Sequence, residues 1–236
     1  MPSSNASDTS SSGPASPTPT VAASTGAEGL YAGQSSAGET LRALLNADGS
    51  FYFVLKTNGN VSGAVVGTAN MSNGTFSSPN VVDYVIGSAP AATVSMSASY
   101  SPKVSLNGGF TTSKGYETFT ANYDAAYDSA LTPAELAGLY FGSSATLAGA
   151  QSGSLIIQNG TLSGVSGGCG FQGNLIQLHG ATFRADATFS TQPGSACSVS
   201  GQSFSGVAIY DTSLKEIQLV LPRIGGGDIA LIVARQ

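Results

Sequence analysis

Short segments in which apolar residues alternate with small polar ones fill most of this chain. Val94, Met96, Ala98 and Tyr100 alternate with serines, and residues 183–189 repeat the pattern with phenylalanine and alanine at the apolar positions. A period of two predicts β-strands that turn one face to a core and the other to solvent. The sequence therefore predicts strands over most of its length.

Asp-Gly and Asn-Gly pairs separate these segments, at Asp48-Gly49, Asn58-Gly59 and Asn73-Gly74. Such pairs favour two-residue β-hairpin turns, because those turns need positive φ at their central positions. Residues 229–234 are apolar at every position, which suits a final strand buried on both faces. With about six to eight short strands in the first half, we predict a closed or nearly closed antiparallel sheet.

One motif occurs twice along the chain. Thr25-Gly-Ala-Glu-Gly-Leu-Tyr-Ala-Gly33 is matched by Thr132-Pro-Ala-Glu-Leu-Ala-Gly-Leu-Tyr-Phe-Gly142. Each copy begins like a capping box, with a helical turn expected at Glu28 and at 133–137, and then enters a first strand. The hairpin sequence around Asn58-Gly59 has a counterpart around Asn159-Gly160. These matches predict a duplicated unit, although Gly- and Asn-rich β proteins of similar composition also produce such matches by chance.

We therefore assign the chain to the all-β class, as two consecutive small antiparallel β-barrel or β-sandwich units after a disordered N-terminal tether. The tether covers 1–24, the first unit 25–128 and the second unit 129–236. In residues 2–24, Asp8 is the one acid and Val21 the one large aliphatic residue. Such a segment buries too little apolar surface to offset the entropy of folding. It resembles the leash of a lipoprotein, although it contains no Cys to carry a lipid.

Charged residues are scarce, at 9% of the chain against 41% hydrophobic residues, whereas soluble domains average about 25% charged residues. This composition is typical of exported β-rich proteins. The net charge of −5 and the scattered basic residues argue against a nucleic-acid partner, since no Lys/Arg cluster would displace phosphate counterions. No apolar run is long enough for a transmembrane helix, and no signal-peptide pattern is visible. We expect a mature exported form whose signal has been removed, while a cytoplasmic protein also fits these data.

Cys169 and Cys197 are the two cysteines of the chain. An even count in a low-charge, Ser/Thr-rich sequence suggests an oxidising compartment and a disulfide, worth roughly 3 kcal/mol for a loop of this length. Two free buried thiols are the alternative. The single His179 leaves too few ligands for a structural zinc site.

Two motifs raise the question of catalysis. Gly164-Val-Ser-Gly-Gly168 fits the nucleophile-elbow pattern, with Ser166 as nucleophile and His179 as base, but the order of the residues contradicts the fold that uses it. Asp124 and Asp128 are a carboxylate pair of the kind that a glycosidase or a calcium site uses, but a linker between two units explains them equally well. We predict no enzymatic activity, no cofactor and no metal.

Several longer segments carry a resemblance to a known family. They are Tyr123-Asp-Ala-Ala-Tyr127, Pro133-Ala-Glu-Leu-Ala-Gly-Leu-Tyr140, Gly167-Gly-Cys-Gly-Phe-Gln-Gly173, Cys197 and Phe204-Ser-Gly-Val-Ala-Ile-Tyr-Asp211. In them the chain resembles uncharacterised exported proteins and lipoproteins of β-proteobacteria such as Burkholderia, which are treated as cell-envelope antigens. The resemblance covers about residues 116–236. It implies an outer-membrane-anchored, periplasmic or cell-surface location and supplies no catalytic residues.

Three functions fit these observations. The leading hypothesis is a non-enzymatic cell-envelope or surface-exposed protein that binds or adheres to an unknown host or envelope protein. The alternative is a lipocalin-like binder of a small apolar ligand, with Phe183, Phe189 and Tyr210 on the inward face of a barrel. A third is an inhibitor of an envelope protease that acts through the loop 192–196. Membrane attachment is expected only through a lipid anchor.

Overall fold

The computed structural model describes residues 26–112 and 115–236, so the tether predicted at 1–24 lies outside the described residues. The first half contains β1 (Gly29–Ser35), β2 (Thr40–Leu45), β3 (Ser50–Thr57), β4 (Asn60–Thr68), β5 (Asn70–Ser72), β6 (Thr75–Val85), β7 (Ala92–Ser101), β8 (Ser105–Thr112) and β9 (Gly115–Tyr123). The second half contains β10 (Gly138–Thr146), β11 (Gly149–Gln158), β12 (Thr161–Ser166), β13 (Cys169–His179), β14 (Thr182–Thr191), β15 (Ser203–Asp211), β16 (Glu216–Pro222) and β17 (Ile229–Arg235). The predicted all-β class is confirmed.

Each half closes into an antiparallel barrel of eight strands. In the first barrel the sheet order is β4-β3-β2-β1-β9-β8-β7-β6, and β4 pairs with β6 to close it, while the short β5 extends β6 beyond the closure. In the second barrel β10 to β17 follow one another in order, and β10 pairs with β17. Closure satisfies the backbone hydrogen bonds that open sheet edges would leave unpaired.

The two glycines that end the repeated motif allow each barrel to close. Gly33 pairs with Ala121 of β9, and Gly142 pairs with Ala234 of β17, so each lies where the first strand of a barrel meets the last. A Cβ atom on Gly33 would overlap the carbonyl oxygen of Thr120, and one on Gly142 would overlap that of Val233. The motif therefore occupies equivalent positions in both barrels, as the duplication predicts.

The matched hairpins, in contrast, are not equivalent in the two barrels. Asn58-Gly59 joins β3 to β4 and is the third turn of its barrel, whereas Asn159-Gly160 joins β11 to β12 and is the second. All four residues have φ between 50° and 81°, the conformation that two-residue turns require. The prediction that this hairpin repeats in place is wrong, because Asn-Gly recurs wherever such a turn is needed.

Three apolar clusters hold the described residues together. Aromatic rings fill much of the first barrel, where Phe51, Phe53 and Phe76 meet edge to face. The inward residues of β10 to β17 fill the second barrel. The third cluster lies between the barrels and contains residues from both, including Leu44 of β2 and Val54 of β3. The two barrels therefore pack side by side, and the outward side chains where they meet are buried.

The final strand explains why residues 229–234 are apolar throughout. Ala230, Ile232 and Ala234 face the interior of the second barrel. The alternate residues Ile229, Leu231 and Val233 belong to the cluster between the barrels. Both faces of β17 are therefore buried, as predicted. One face lies inside the second barrel, and the other packs against the first barrel.

Two short 3₁₀ helices connect the barrels, at Ala125–Asp128 and Pro133–Leu136. The carboxylate of Glu135 accepts hydrogen bonds from the backbone N–H of Thr132 at 2.7 Å and from its hydroxyl at 2.9 Å. The capping function predicted for this motif is confirmed in the second copy. No helical turn forms at Glu28, which lies just before β1; the expectation there is wrong because the first copy lacks the proline that pre-sets φ for the first helical position.

Candidate functional site

The outer surface of β10 to β13 carries no Asp, Glu, Lys or Arg side chain. Residues 136–183 contain no Asp, Glu, Lys or Arg, and Glu135 and Arg184 bound this stretch. Its outward positions hold serine, threonine, glutamine and asparagine together with large apolar residues. Such a surface lacks the charged groups that normally keep soluble proteins apart.

Within this region several large apolar side chains are exposed on neighbouring strands. Leu139 of β10 lies directly opposite Ile156 of β11, and Ser154 lies between Phe141 and Val165 in the next row. Phe141 is 63% exposed. We define the uncharged face as the outward side chains Leu139, Phe141, Ser154, Ile156, Ser163 and Val165. An exposed apolar group of this kind is typical of an interaction surface.

The opposite side of the second barrel is covered by the first, and charged groups are concentrated there. Arg42 of β2 forms an ion pair with Asp211 at the end of β15 at 2.8 Å, and it also pairs with Asp124 of the linker. Burial alone would raise the pKa of Asp211, but hydrogen bonds from Ser213 and Leu214 and the charge of Arg42 outweigh it, so the pKa is lowered. Asp211 is therefore ionised near neutral pH and ties the barrels together.

Glu216 is the centre of a second ion-pair group between the barrels. Its side chain is 2% exposed, and it accepts hydrogen bonds from Lys56 of β3 at 2.7 Å, from Gln218 at 2.7 Å and from Arg235 at 2.9 Å. Burial favours the neutral acid, but these donors together lower the pKa of Glu216 below its ordinary value. A buried carboxylate with this many donors is a structural tie, since its charge is already matched.

A cavity of about 290 Å³ opens at the end of the second barrel where β12 turns into β13. The disulfide between Cys169 and Cys197 lies beside it, with an S–S distance of 2.02 Å, as the sequence predicted. The bridge holds the loop 192–202 over the barrel end, and Val199 of that loop packs into the core. The cavity is thus bordered by strands on one side and a tethered loop on the other.

Phe183, Phe189 and Tyr210, predicted as ligand-binding, all point into the second barrel. Phe189 lines the cavity and packs against Phe171 and Phe204. Phe183 and Tyr210 are buried in the core and do not line it. The structure therefore places one of the three predicted residues at a space that a ligand can occupy.

Ser166, the predicted nucleophile, and His179, its predicted base, lie far apart. Ser166 and Cys169 pair where β12 meets β13, whereas His179 ends β13. A strand of this length spans about 30 Å. The Ser166 hydroxyl instead shares a hydrogen bond of 2.5 Å with Ser144. A Ser–His pair does not form.

The carboxylates of the linker are each matched by a cation. Asp124 pairs with Arg42 and caps the first 3₁₀ helix by accepting from the N–H of Ala126. Asp128 accepts hydrogen bonds from Lys103 at 2.8 Å and from the hydroxyl of Tyr123 at 3.0 Å, and these two bonds lower its pKa. The two carboxylates therefore support the joint between the barrels.

Sequence reasoning missed the uncharged face and the cavity. The signal for the face was present, because the run without charge at 136–183 can be counted directly in the sequence. The cavity gave no local signal, because its walls come from strands that only the closed barrel brings together.

Among the described residues, no group of three or more His, Cys, Asp or Glu side chains is placed to hold a metal ion. The helices described are all too short to span a bilayer. These are findings about 26–112 and 115–236 alone.

No protein-family model matches the chain, and no curated protein matches it. Among solved structures, a proposed outer membrane protein from Bacteroides fragilis is 13% identical, covering 89% of this chain and 96% of that one, with a TM-score of 0.26. The Myxococcus xanthus hemagglutinin in complex with a3,a6-mannopentaose is 14% identical, covering 88% of each chain, with a TM-score of 0.17. At these TM-scores neither similarity carries an argument about this chain.

Proposed function

We propose that this chain is a non-enzymatic protein of the cell envelope that binds another protein through its uncharged face. The observation that carries the proposal is the exposure of Leu139, Phe141, Ile156 and Val165 on adjacent strands that contain no charged residue. Exposed clusters of aromatic and aliphatic side chains with few charges are typical of protein interfaces. The partner is expected to present a complementary apolar surface.

An envelope location is supported by the disulfide and by the composition. Disulfides persist in oxidising compartments such as the periplasm and the cell surface, and Cys169 and Cys197 are bonded. A surface of hydroxyl and amide groups is also typical of exported β proteins.

The proposal of a non-enzymatic role is supported by how the candidate catalytic groups are used. Ser166 pairs with Ser144, Asp124 with Arg42, and Asp128 with Lys103 and Tyr123. The hypothesis of a protease inhibitor stays a prediction. Four of the five positions of loop 192–196 are exposed, but exposure alone is not specific to inhibition.

Site-specific photo-crosslinking in the organism that encodes the protein tests this proposal. A photoreactive residue at Ser154, between Phe141 and Val165, is expected to give a discrete adduct with one protein in the envelope fraction. The same residue at Ser97, exposed on β7 of the first barrel, is the matched control and is expected to give none.

Replacing Phe141 with Ser in the Ser154 probe is expected to abolish the adduct, because it removes the largest apolar group of the face. An adduct that persists in the Phe141→Ser variant, or equal adducts from Ser154 and Ser97, would contradict the proposal. So would recovery of the protein in the cytoplasmic fraction with both cysteines reduced.

A further inference from the structure

The mouth of the second barrel differs from that of the first in size and charge. The cavity of about 290 Å³ in the second barrel is lined by residues none of which is ionisable, other than the disulfide-bonded Cys169. The corresponding space in the first barrel measures about 40 Å³ and is lined by Glu39, Asp83 and Glu117 among others. The difference comes from the inward side chains of the strands and from loop 192–202, which supplies Ser198 and Val199 to the cavity wall.

Small inward residues create the space. Gly153 of β11 pairs with Ser166 of β12 and with Gly142 of β10, and Ser144 lies diagonally beside it. The hydroxyls of Ser144 and Ser166 are 2.5 Å apart. A Cβ atom on Gly153 would lie 3.3 Å from the Ser144 hydroxyl oxygen, so a larger side chain would push into the hydroxyl pair. At the other end of the barrel the interior is filled by large side chains such as Tyr140 and Phe183.

The hydroxyl pair retains hydrogen-bonding capacity beyond its own bond. Each serine hydroxyl offers one donor and two acceptor lone pairs, and the bond between Ser144 and Ser166 uses one donor and one acceptor. One donor and three acceptor positions therefore remain near the cavity wall. A ligand that both donates and accepts, as an alcohol does, complements them.

The rest of the lining is uncharged and, apart from Thr146, Gln151 and Ser198, carries no polar side chain. Phe189, Val199 and Ile232 form part of the wall and are buried. A charged ligand would lose hydration there without gaining an opposite charge, whereas an apolar edge would be accommodated. The exposed residues Ala148, Gln151 and Ser198 mark the solvent side of the opening.

We propose that the mouth of the second barrel binds a small uncharged alcohol or polyol with an apolar edge. At roughly 30 Å³ per water molecule, the cavity has room for about ten non-hydrogen atoms, which is the size of a six-membered ring with two or more hydroxyl groups. This site is separate from the uncharged face and does not depend on the function proposed for that face.

Titration of the isotope-labelled full chain with a matched series of ring compounds tests the site. trans-1,2-Cyclohexanediol is expected to shift the backbone amide resonances of residues 144, 166 and 199 with millimolar affinity, which is usual for so small a ligand. Cyclohexanol is expected to bind about fivefold more weakly, because it forms one fewer hydrogen bond. Cyclohexanecarboxylate, of similar size but charged, is expected not to bind.

Variants locate the binding. Ser166→Leu fills the cavity and is expected to abolish binding of the diol, whereas Ser163→Leu, on the outward side of the same strand, is expected to retain it. If Ser166→Leu fails to fold, the smaller change Ser166→Ala is expected to weaken binding about fivefold. Phe141→Ser is expected to bind the diol as the natural chain does, so the two proposals fail separately.

Three results would overturn the proposal. They are the absence of shifts at the mouth up to about 50 mM diol, carboxylate binding as tight as diol binding, and diol binding unchanged in whichever Ser166 variant folds.

Discussion

Tyr31 and Tyr140 make the same hydrogen bond in the two barrels. Tyr31 donates its hydroxyl to the carbonyl oxygen of Ala27 at 3.0 Å, and Tyr140 donates to that of Leu136 at 2.7 Å, each four residues earlier in the chain. Both side chains are fully buried. Burial raises the pKa of Tyr31 to about 12 and raises that of Tyr140 as well. Each tyrosine fixes the chain segment that leads into the first strand of its barrel.

Replacing either tyrosine with phenylalanine is expected to lower the free energy of unfolding by about 1–2 kcal/mol, because a buried carbonyl oxygen loses its donor while the ring stays in place. Urea denaturation of Tyr31→Phe and Tyr140→Phe measures this loss. Tyr116→Phe is the control, since that side chain is 64% exposed, and it is expected to change stability by less than about 0.5 kcal/mol. Equal stability of all three variants would show that the shared bond contributes nothing.

The repeated motif shows what sequence predicts well here. Its tyrosine donates a hydrogen bond to a residue four positions earlier, and its final glycine packs against the closing strand. Both contacts depend on few residues, so Tyr31 corresponds to Tyr140, and Gly33 to Gly142. The apolar run at 229–234 likewise predicted a doubly buried strand correctly. The identity of the covering surface could not be predicted, because Leu44 and Val54 are distant in sequence and alternate like any strand residues.

The candidate sites were harder to predict for a related reason. The cavity depends on Ser144, Gly153 and Ser166 on three strands and on Val199 in a loop, and each is an unremarkable residue in its own segment. Phe183 and Phe189 have the same parity on β14, so periodicity could not tell which of them packs in the core and which borders open space. Only barrel closure distinguishes them.

The buried carboxylate of Glu216 is expected to be worth more to stability than an exposed one. Glu216→Gln removes the charge that faces Lys56, whose side chain is 13% exposed, and leaving a largely buried charge unmatched costs roughly 3 kcal/mol. Thermal and urea unfolding measure the loss. Asp48→Asn, at an exposed position in the turn between β2 and β3, is the control with an expected change below about 0.5 kcal/mol.

The double variant Lys56→Met/Glu216→Gln separates the ion pair from other effects of the substitution. It is expected to recover part of the stability lost in Glu216→Gln, because no unmatched lysine remains. If the stability lost in the double variant equals the sum of the losses in Glu216→Gln and Lys56→Met, the two residues are not coupled.

Stability is expected to fall in acid because of the same groups. The folded state lowers the pKa of Glu216 and of Asp211, so the stability they contribute is fully present above the ordinary carboxyl pKa of about 4. It is lost as pH falls through the lowered values, when the folded state must also take up these protons. Unfolding curves between pH 7 and pH 2 measure the effect. Glu216→Gln is expected to show a shallower decline below about pH 4, and a decline identical to that of the natural chain would assign the acid sensitivity to other carboxylates.

The disulfide is expected to stabilise the second barrel because it lowers the conformational entropy of the unfolded chain. Cys169 and Cys197 are 28 residues apart, and closing a loop of that length is worth roughly 3 kcal/mol in the chain-entropy model. Cys169→Ser, Cys197→Ser and the double serine variant should therefore lose about the same stability, since each removes the same bond. Urea unfolding of the three variants, compared with the natural chain in reducing agent, measures this. Additive losses in the double variant would mean that the serines disturb packing independently of the bond, and a loss below about 1 kcal/mol would mean that the loop 192–202 is held in place without it.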